Sequence, residues 1–304
     1  MASTTTDTTT QWWAGIDDDL SRLPAKPEFT HDALRSSEHF DMYRVRMTSV
    51  DNYVIAAWLN IPKGEGPFPA VMYTPTHMSV VTPAPYEFRM RAVTMNVISR
   101  GQRGADKPYA AAFPGHLTVD IEDPQRYVQR GVVADTIRAW EVLRDHPKVD
   151  PDRMAMIGND LALLVDERRP GAKAIHVTGS FWYRLPEIAA KTDMYPFEEI
   201  NDYLRWRPEA KDAVLRTLSL LDPVHQADRI RANVLFHRDQ DSPVLDDEWF
   251  APLVGRMQVT PSYLDMTHQG QVDYDAVDAW LSNQIVMEPF PRSWTPEDIG
   301  PWSV

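Results

Sequence analysis

The chain has 304 residues, 43% of them hydrophobic, and carries a formal net charge of −13 with a sequence pI of about 5.1. That length allows one large α/β domain or two small ones, and the apolar fraction is enough for a sizeable core. The negative balance argues against nucleic acid and anionic membrane as partners, and the absence of cysteine excludes disulfides, thiolate metal sites and a cysteine nucleophile.

Taken in order, residues 1–10 are polar and Thr-rich, with no basic or apolar segment of a signal peptide, and predict a disordered tail. No apolar run reaches membrane-spanning length, so a soluble cytoplasmic protein is expected. Residues 11–40 mix Trp12, Trp13, Leu20 and Leu23 with Pro24 and Pro27, predicting a short helix and an extended arm on the main body. Tyr43–Ser49 and Tyr53–Ile61 alternate as strands and pair as a hairpin through Asp51 and Asn52. Buried strands follow at Ala70–Tyr73 and Val93–Ile98, then a Pro- and Gly-rich loop over 105–124. Val128–Arg144 has helical spacing through Val132, Ile137, Trp140 and Leu143. Further strands are predicted at Met154–Ile157, Ala174–Thr178, Val234–Phe236 and Ser262–Leu264. Helices fall at 161–165, 246–256 and 273–285, and 184–229 reads as cap helices over the pocket. Strands alternating with helices imply one α/β domain over 11–304: a mostly parallel central sheet with helices on both faces.

The chemistry concentrates in Gly158, Asn159, Asp160, Leu161 and Ala162, lying between a predicted strand and a predicted helix. This is the frame of a nucleophile elbow, with Asp160 in place of the serine and Ala162 in place of the second glycine. An elbow lifts one side chain toward a pocket, and Gly158 and Ala162 are small enough for close packing of strand and helix. Ligands bind at the carboxyl ends of such strands. Asp160, Asp241 and His268 fall there in the nucleophile–acid–base order of α/β-hydrolases. Imidazole is the base suited to neutral pH, and a carboxylate behind it fixes its tautomer.

Several stretches carry a resemblance to a known family. They are Arg100–Gln102, Ala139–Leu143, Val149–Arg153, Asp193–Phe197, Glu199–Leu204, Leu215–Ser219 and Thr267–Gly270. Over roughly residues 11–285 the sequence resembles the acetyl xylan esterase/cephalosporin C deacetylase family within the α/β-hydrolase superfamily. The resemblance implies deacetylation of small sugars and cephalosporins by a serine, an aspartate and a histidine. It implies Asp241 as the acid, with Asp239 as fallback, and His268 as the base. It places the oxyanion tyrosine at His77 and the second oxyanion donor at Leu161. It also implies a homo-oligomer, since the family often assembles as hexamers.

The departures shape the expected function. A carboxylate is a poor acyl-transfer nucleophile, because attack on an ester gives a high-energy anhydride. It suits attack at saturated carbon, as in epoxide opening or halide displacement, followed by hydrolysis of the alkyl ester by water that His268 activates. Asp160 as general base in an elimination, rearrangement or cyclisation of a biosynthetic pathway is an alternative. Plain deacetylation is another, as is a catalytically dead binding homologue whose Asp160 only caps the following helix. His77 is read either as a proton donor to a leaving oxygen or as a loop residue facing water. Trp182 and Tyr183, with Phe181, are read as pocket lining or as aromatic packing. His176 is read as a satisfied core histidine, Asp239 as a solvated turn residue, Asp17–Asp19 as a solvated helix start, and Arg100 as the partner of a carboxylate. The substrate expected is a small polar organic molecule, with no cofactor and no metal.

Overall fold

The computed structural model describes residues 2–77, 80–106, 111–239, 242 and 245–290, and of residues 2–7 the backbone alone. Nine strands form one sheet: β1 (Glu28–His31), β2 (Phe40–Thr48), β3 (Val54–Pro62), β4 (Phe68–Tyr73), β5 (Val93–Ile98), β6 (Val149–Gly158), β7 (Ala174–Val177), β8 (Asn233–Arg238) and β9 (Ser262–Asp265). Their order is β1-β2-β3-β5-β4-β6-β7-β8-β9. The β2–β3 hairpin turns through Asp51 and Asn52, both at positive φ, as the sequence predicts. The pairs β1–β2, β2–β3 and β3–β5 are antiparallel, and every pair from β5 to β9 is parallel.

Alternation along the parallel strands builds two cores. On β4, Ala70 and Met72 join the larger core while Val71 joins the smaller. On β6, Met154 and Met156 face the first, and Ala155 and Ile157 the second. Successive side chains point to opposite faces, so a strand covered on both sides reads as a continuous apolar run. One face packs on α3 (Val128–Arg144) and α4 (Leu161–Arg168), the other on α9 (Gln271–Gln284), whose Leu281 meets Val71 and Ala174 in the smaller core.

The N-terminus corrects the predicted tail. Helix α1 runs Ala2–Arg22 and buries Trp12, Trp13, Ile16 and Leu20. Asp17 and Asp19 lie within it, not at a solvated start: Asp17 bonds Arg168 and Arg169, and Asp19 bonds Arg130 at 2.7 Å. These ion pairs fasten α1 to α3 and α4. The predicted cap is helical, with α5 (Leu185–Ala189), α6 (Glu198–Trp206) and α7 (Lys211–Ser219). Among the described residues no helix is long and apolar enough to cross a membrane.

Candidate active site

The strand before the expected elbow and the helix after it form as predicted, but the turn between them is not an elbow. Asp160 has φ −63° and ψ −1°, ordinary right-handed helical values. A nucleophile elbow is a strained turn that thrusts its side chain outward. Here the side chain turns inward and is fully buried. Its two oxygens accept the backbone N–H groups of Phe181, Trp182 and Tyr183 at 2.7–3.1 Å. The expectation of a carboxylate facing a pocket is therefore corrected, and so is the helix-cap alternative, since Asp160 makes no side-chain capping bond to α4. Burial pushes its pKa up to about 7, against the three amides, which pull it down. Gly158 is small for a different reason from the one expected: a Cβ there would lie 1.8 Å from Thr74 Oγ1, on the loop after the neighbouring strand β4.

The other expected triad members stand elsewhere. His268, at φ 59° on the loop after β9, is well exposed and sits 3.6 Å from Asp239 Oδ1 at the end of β8. The fallback Asp239 thus approaches the imidazole and is half-buried rather than solvated. Asp241 lies outside the described residues. Asp160, bound to amides, makes no bond to His268. Asp160 and His268 are therefore not paired with each other: the local backbone offers the Asp160 carboxylate three buried donors.

A cavity of about 80 Å³ lies over this turn, lined by His77, Arg100, Gly101, Gln102, His116, Gln129, Asn159, Leu161, Phe181, Trp182 and Tyr195, among others. Leu161 is at the cavity, as the resemblance implies, but its N–H is taken by Asn159 Oδ1 at 3.0 Å. Trp182 is at the wall. Tyr183 is not; it packs in the core against Phe250 and Trp249.

His77 faces the cavity and not open water. Its Nε2 is 3.3 Å from Glu199 Oε1, with side chains 11% and 4% exposed. The loop that carries it is fixed by Gln102, which donates from Nε2 to the Thr76 carbonyl at 3.0 Å. Glu199, on α6, is held from the other side by the Leu117 N–H, donated to Oε2 at 2.6 Å. It reaches that amide over Gly115, where a Cβ would lie 2.2 Å from the carboxyl carbon. A buried carboxylate bonded to an imidazole orients the ring and stabilises its protonated form. Phe181 stacks on His77 at 6.2 Å and Tyr195 meets it edge-on at 5.4 Å.

Glu199 and His116 are the site residues that sequence reasoning missed. Glu199 stands in a stretch that carries the resemblance, but its pairing with His77 crosses 122 positions of chain and has no local pattern. His116 lies in a loop whose composition marks it only as irregular. Arg100 pairs with a carboxylate as expected: its guanidinium bonds buried Asp135 at 3.0 Å and Asp51 at 3.0 Å. His176 is buried as expected, with Nε2 2.7 Å from His237 Nε2, but it is not fully satisfied as expected, because its Nδ1 has no hydrogen-bond partner. Among the described residues no group of three or more His, Asp or Glu side chains is placed to hold a metal ion.

Comparison with known proteins identifies the fold and the family. The fold is that of an acetyl xylan esterase from Paenibacillus sp. R4, with TM-score 0.80, 21% identity and coverage of 91% of this chain and 94% of that one. Acetyl xylan esterase 1 from Thermoanaerobacterium sp. JW/SL YS485 gives TM-score 0.78 at 19% identity, covering 90% and 93%. An esterase from Pyrococcus furiosus gives TM-score 0.54 at 12% identity, covering 81% and 92%. These likenesses establish the α/β-hydrolase fold. The family model described as acetyl xylan esterase (AXE1) matches residues 2–249, and the chain belongs to that family.

Proposed function

We propose that this family member is an enzyme that handles a small polar organic substrate by proton transfer at His77 and Glu199, without a covalent intermediate on Asp160. The observation that carries this reading is the exchange of roles at the site. The residue at the nucleophile position spends both carboxylate oxygens on backbone amides, while an imidazole lining the cavity is backed by a buried carboxylate. Covalent opening of an epoxide needs a carboxylate oxygen directed at saturated carbon. Acyl transfer needs donors aimed at the developing oxyanion, and the Leu161 amide is already engaged. Proton transfer needs neither. It needs a base within reach of substrate and a partner that stabilises its charge, which His77 and Glu199 supply.

Ester hydrolysis is the second reading, favoured by the surviving His268–Asp239 pair. Two measurements separate them. Turnover of p-nitrophenyl acetate is expected to stay near the uncatalysed rate and to be unaffected by His268→Ala; brisk turnover lost in that variant supports esterase chemistry instead. In deuterium oxide, incubation with a small-molecule extract is expected to label a compound by one mass unit. The labelling should disappear in His77→Ala. Labelling that survives His77→Ala, or none with the parent protein, removes the proton-transfer reading.

A further inference from the structure

The bonds that turn Asp160 inward also shape the wall of the cavity. Its carboxylate accepts the N–H groups of Phe181, Trp182 and Tyr183 at 2.7–3.1 Å. Three successive amides turned toward one point make an anion-binding concavity, and the carboxylate fills it. The segment is held at its ends by other bonds. The Thr178 N–H donates to the Gly158 carbonyl at 2.7 Å, the Asp160 N–H to the Gly179 carbonyl at 3.3 Å, and the Arg184 N–H to Asp222 Oδ2 at 3.1 Å. Tyr183 stacks on Phe250 in the core. Between those ends the carboxylate sets the path of the backbone, and with it the place where the Phe181 ring leaves the chain. Burial raises the Asp160 pKa to about 7, so a carboxylate is a costly way to hold this loop, and such costs gather at functional sites.

Phe181 and His77 both line the cavity, with ring centroids 6.2 Å apart and ring planes 22° from parallel. Phe181 is steadied in turn by Trp182 at 4.9 Å and Phe197 at 5.3 Å. Glu199 meets His77 at Nε2. A ring held at its Cβ and at one far nitrogen can still turn about the line that joins them. A flat ring laid against its face limits that turn, together with the edge-on ring of Tyr195. The turn decides where Nδ1 and the ring edge point in the cavity. We infer that Asp160 is a positioning residue for His77: by gathering three amides it sets the Phe181 ring against the imidazole, and so the direction in which the imidazole meets substrate. The purpose of this role rests on the proton-transfer reading, whereas the coupling from residue 160 to the His77 ring is independent of it.

The reporters are the His77 ring-proton signals of the full chain labelled with ¹³C-histidine. The face of an aromatic ring shields nuclei lying over it. Phe181→Leu, which removes the ring and keeps the amide, should therefore move the His77 signals downfield. Asp160→Asn keeps the shape but turns one acceptor oxygen into a donor facing the same amides. It should move the His77 signals in the same direction and leave those of the exposed His31 and His39 in place. Asp160→Ala, which offers no acceptor, should repeat the effect at a temperature below its unfolding. In the double variant, Asp160→Asn should move His77 no further once the Phe181 ring is gone, since coupled sites do not add. Under the proton-transfer reading, each single variant should slow deuterium labelling about tenfold to a hundredfold, and the double variant no more than either. His77 signals that stay in place in every folded Asp160 variant, or shifts that add in full in the double variant, overturn the positioning role. Coupled shifts without any labelling by the parent protein support the positioning role and remove the proton-transfer reading.

Discussion

At the scale of the residue, Asp160 shows how little a motif position says about direction. The carboxylate is buried and holds three successive amides of the loop after β7. Asp160→Ala removes the acceptor and strands those donors, so a loss of about 3 kcal/mol is expected in denaturant unfolding. Asp160→Ser restores the residue type the family resemblance implies, yet no gain of p-nitrophenyl acetate turnover is expected. The backbone at 160 is helical rather than raised, and the Leu161 amide is still bound by Asn159. Turnover appearing in Asp160→Ser would show that the turn readily adopts the elbow form. The presence of Gly158, Asp160 and Ala162 was legible in the sequence. The amides that claim the aspartate lie 21–23 positions away and were not.

At the scale of the element, the loop after β5 is fastened to α3 by one arginine. Arg100 bonds Asp135, whose side chain is fully buried, through both its guanidinium and its own backbone N–H. Arg100→Met leaves that carboxylate buried without its cation, and a loss of about 3–5 kcal/mol is expected. A loss under about 1 kcal/mol in the same unfolding measurement would mean that Asp135 readily finds protons or water instead. Strands β4 and β5 and helix α3 were legible because apolar spacing within one segment specifies them. The reach of α1 to Ala2 was not, because its polar first turns give no pattern, and its hold on the body comes from Trp12, Trp13 and the partners of Asp17 and Asp19.

At the scale of the whole molecule, a net charge of −13 coexists with buried acids. Burial raises the pKa of Asp166 to about 6, of Asp160 to about 7, and of Glu167 well above its ordinary value of 4.5. A group whose folded pKa is raised contributes stability in full below its unfolded pKa and loses it as pH rises through the folded value. Glu167 Oε1 is buried with no partner, so Glu167→Gln keeps the shape and removes the charge. Relative to the parent, this variant is expected to gain stability as pH rises from about 4 to 8, by melting temperature at each pH. A difference that does not change with pH would place the Glu167 carboxyl at its ordinary pKa. The sequence by itself determined the α/β-hydrolase fold, the succession of its strands from β2 onward and the family, because apolar periodicity and short motifs are local properties of the chain, whereas β1 was read only as an extended arm. The tertiary structure alone decided which side chains meet. It drew Asp160 toward buried amides, left exposed His268 beside Asp239, and brought His77, backed by Glu199, to a cavity that His116 also lines. Those meetings follow from desolvation and hydrogen-bond satisfaction between distant segments, which no single stretch of sequence encodes.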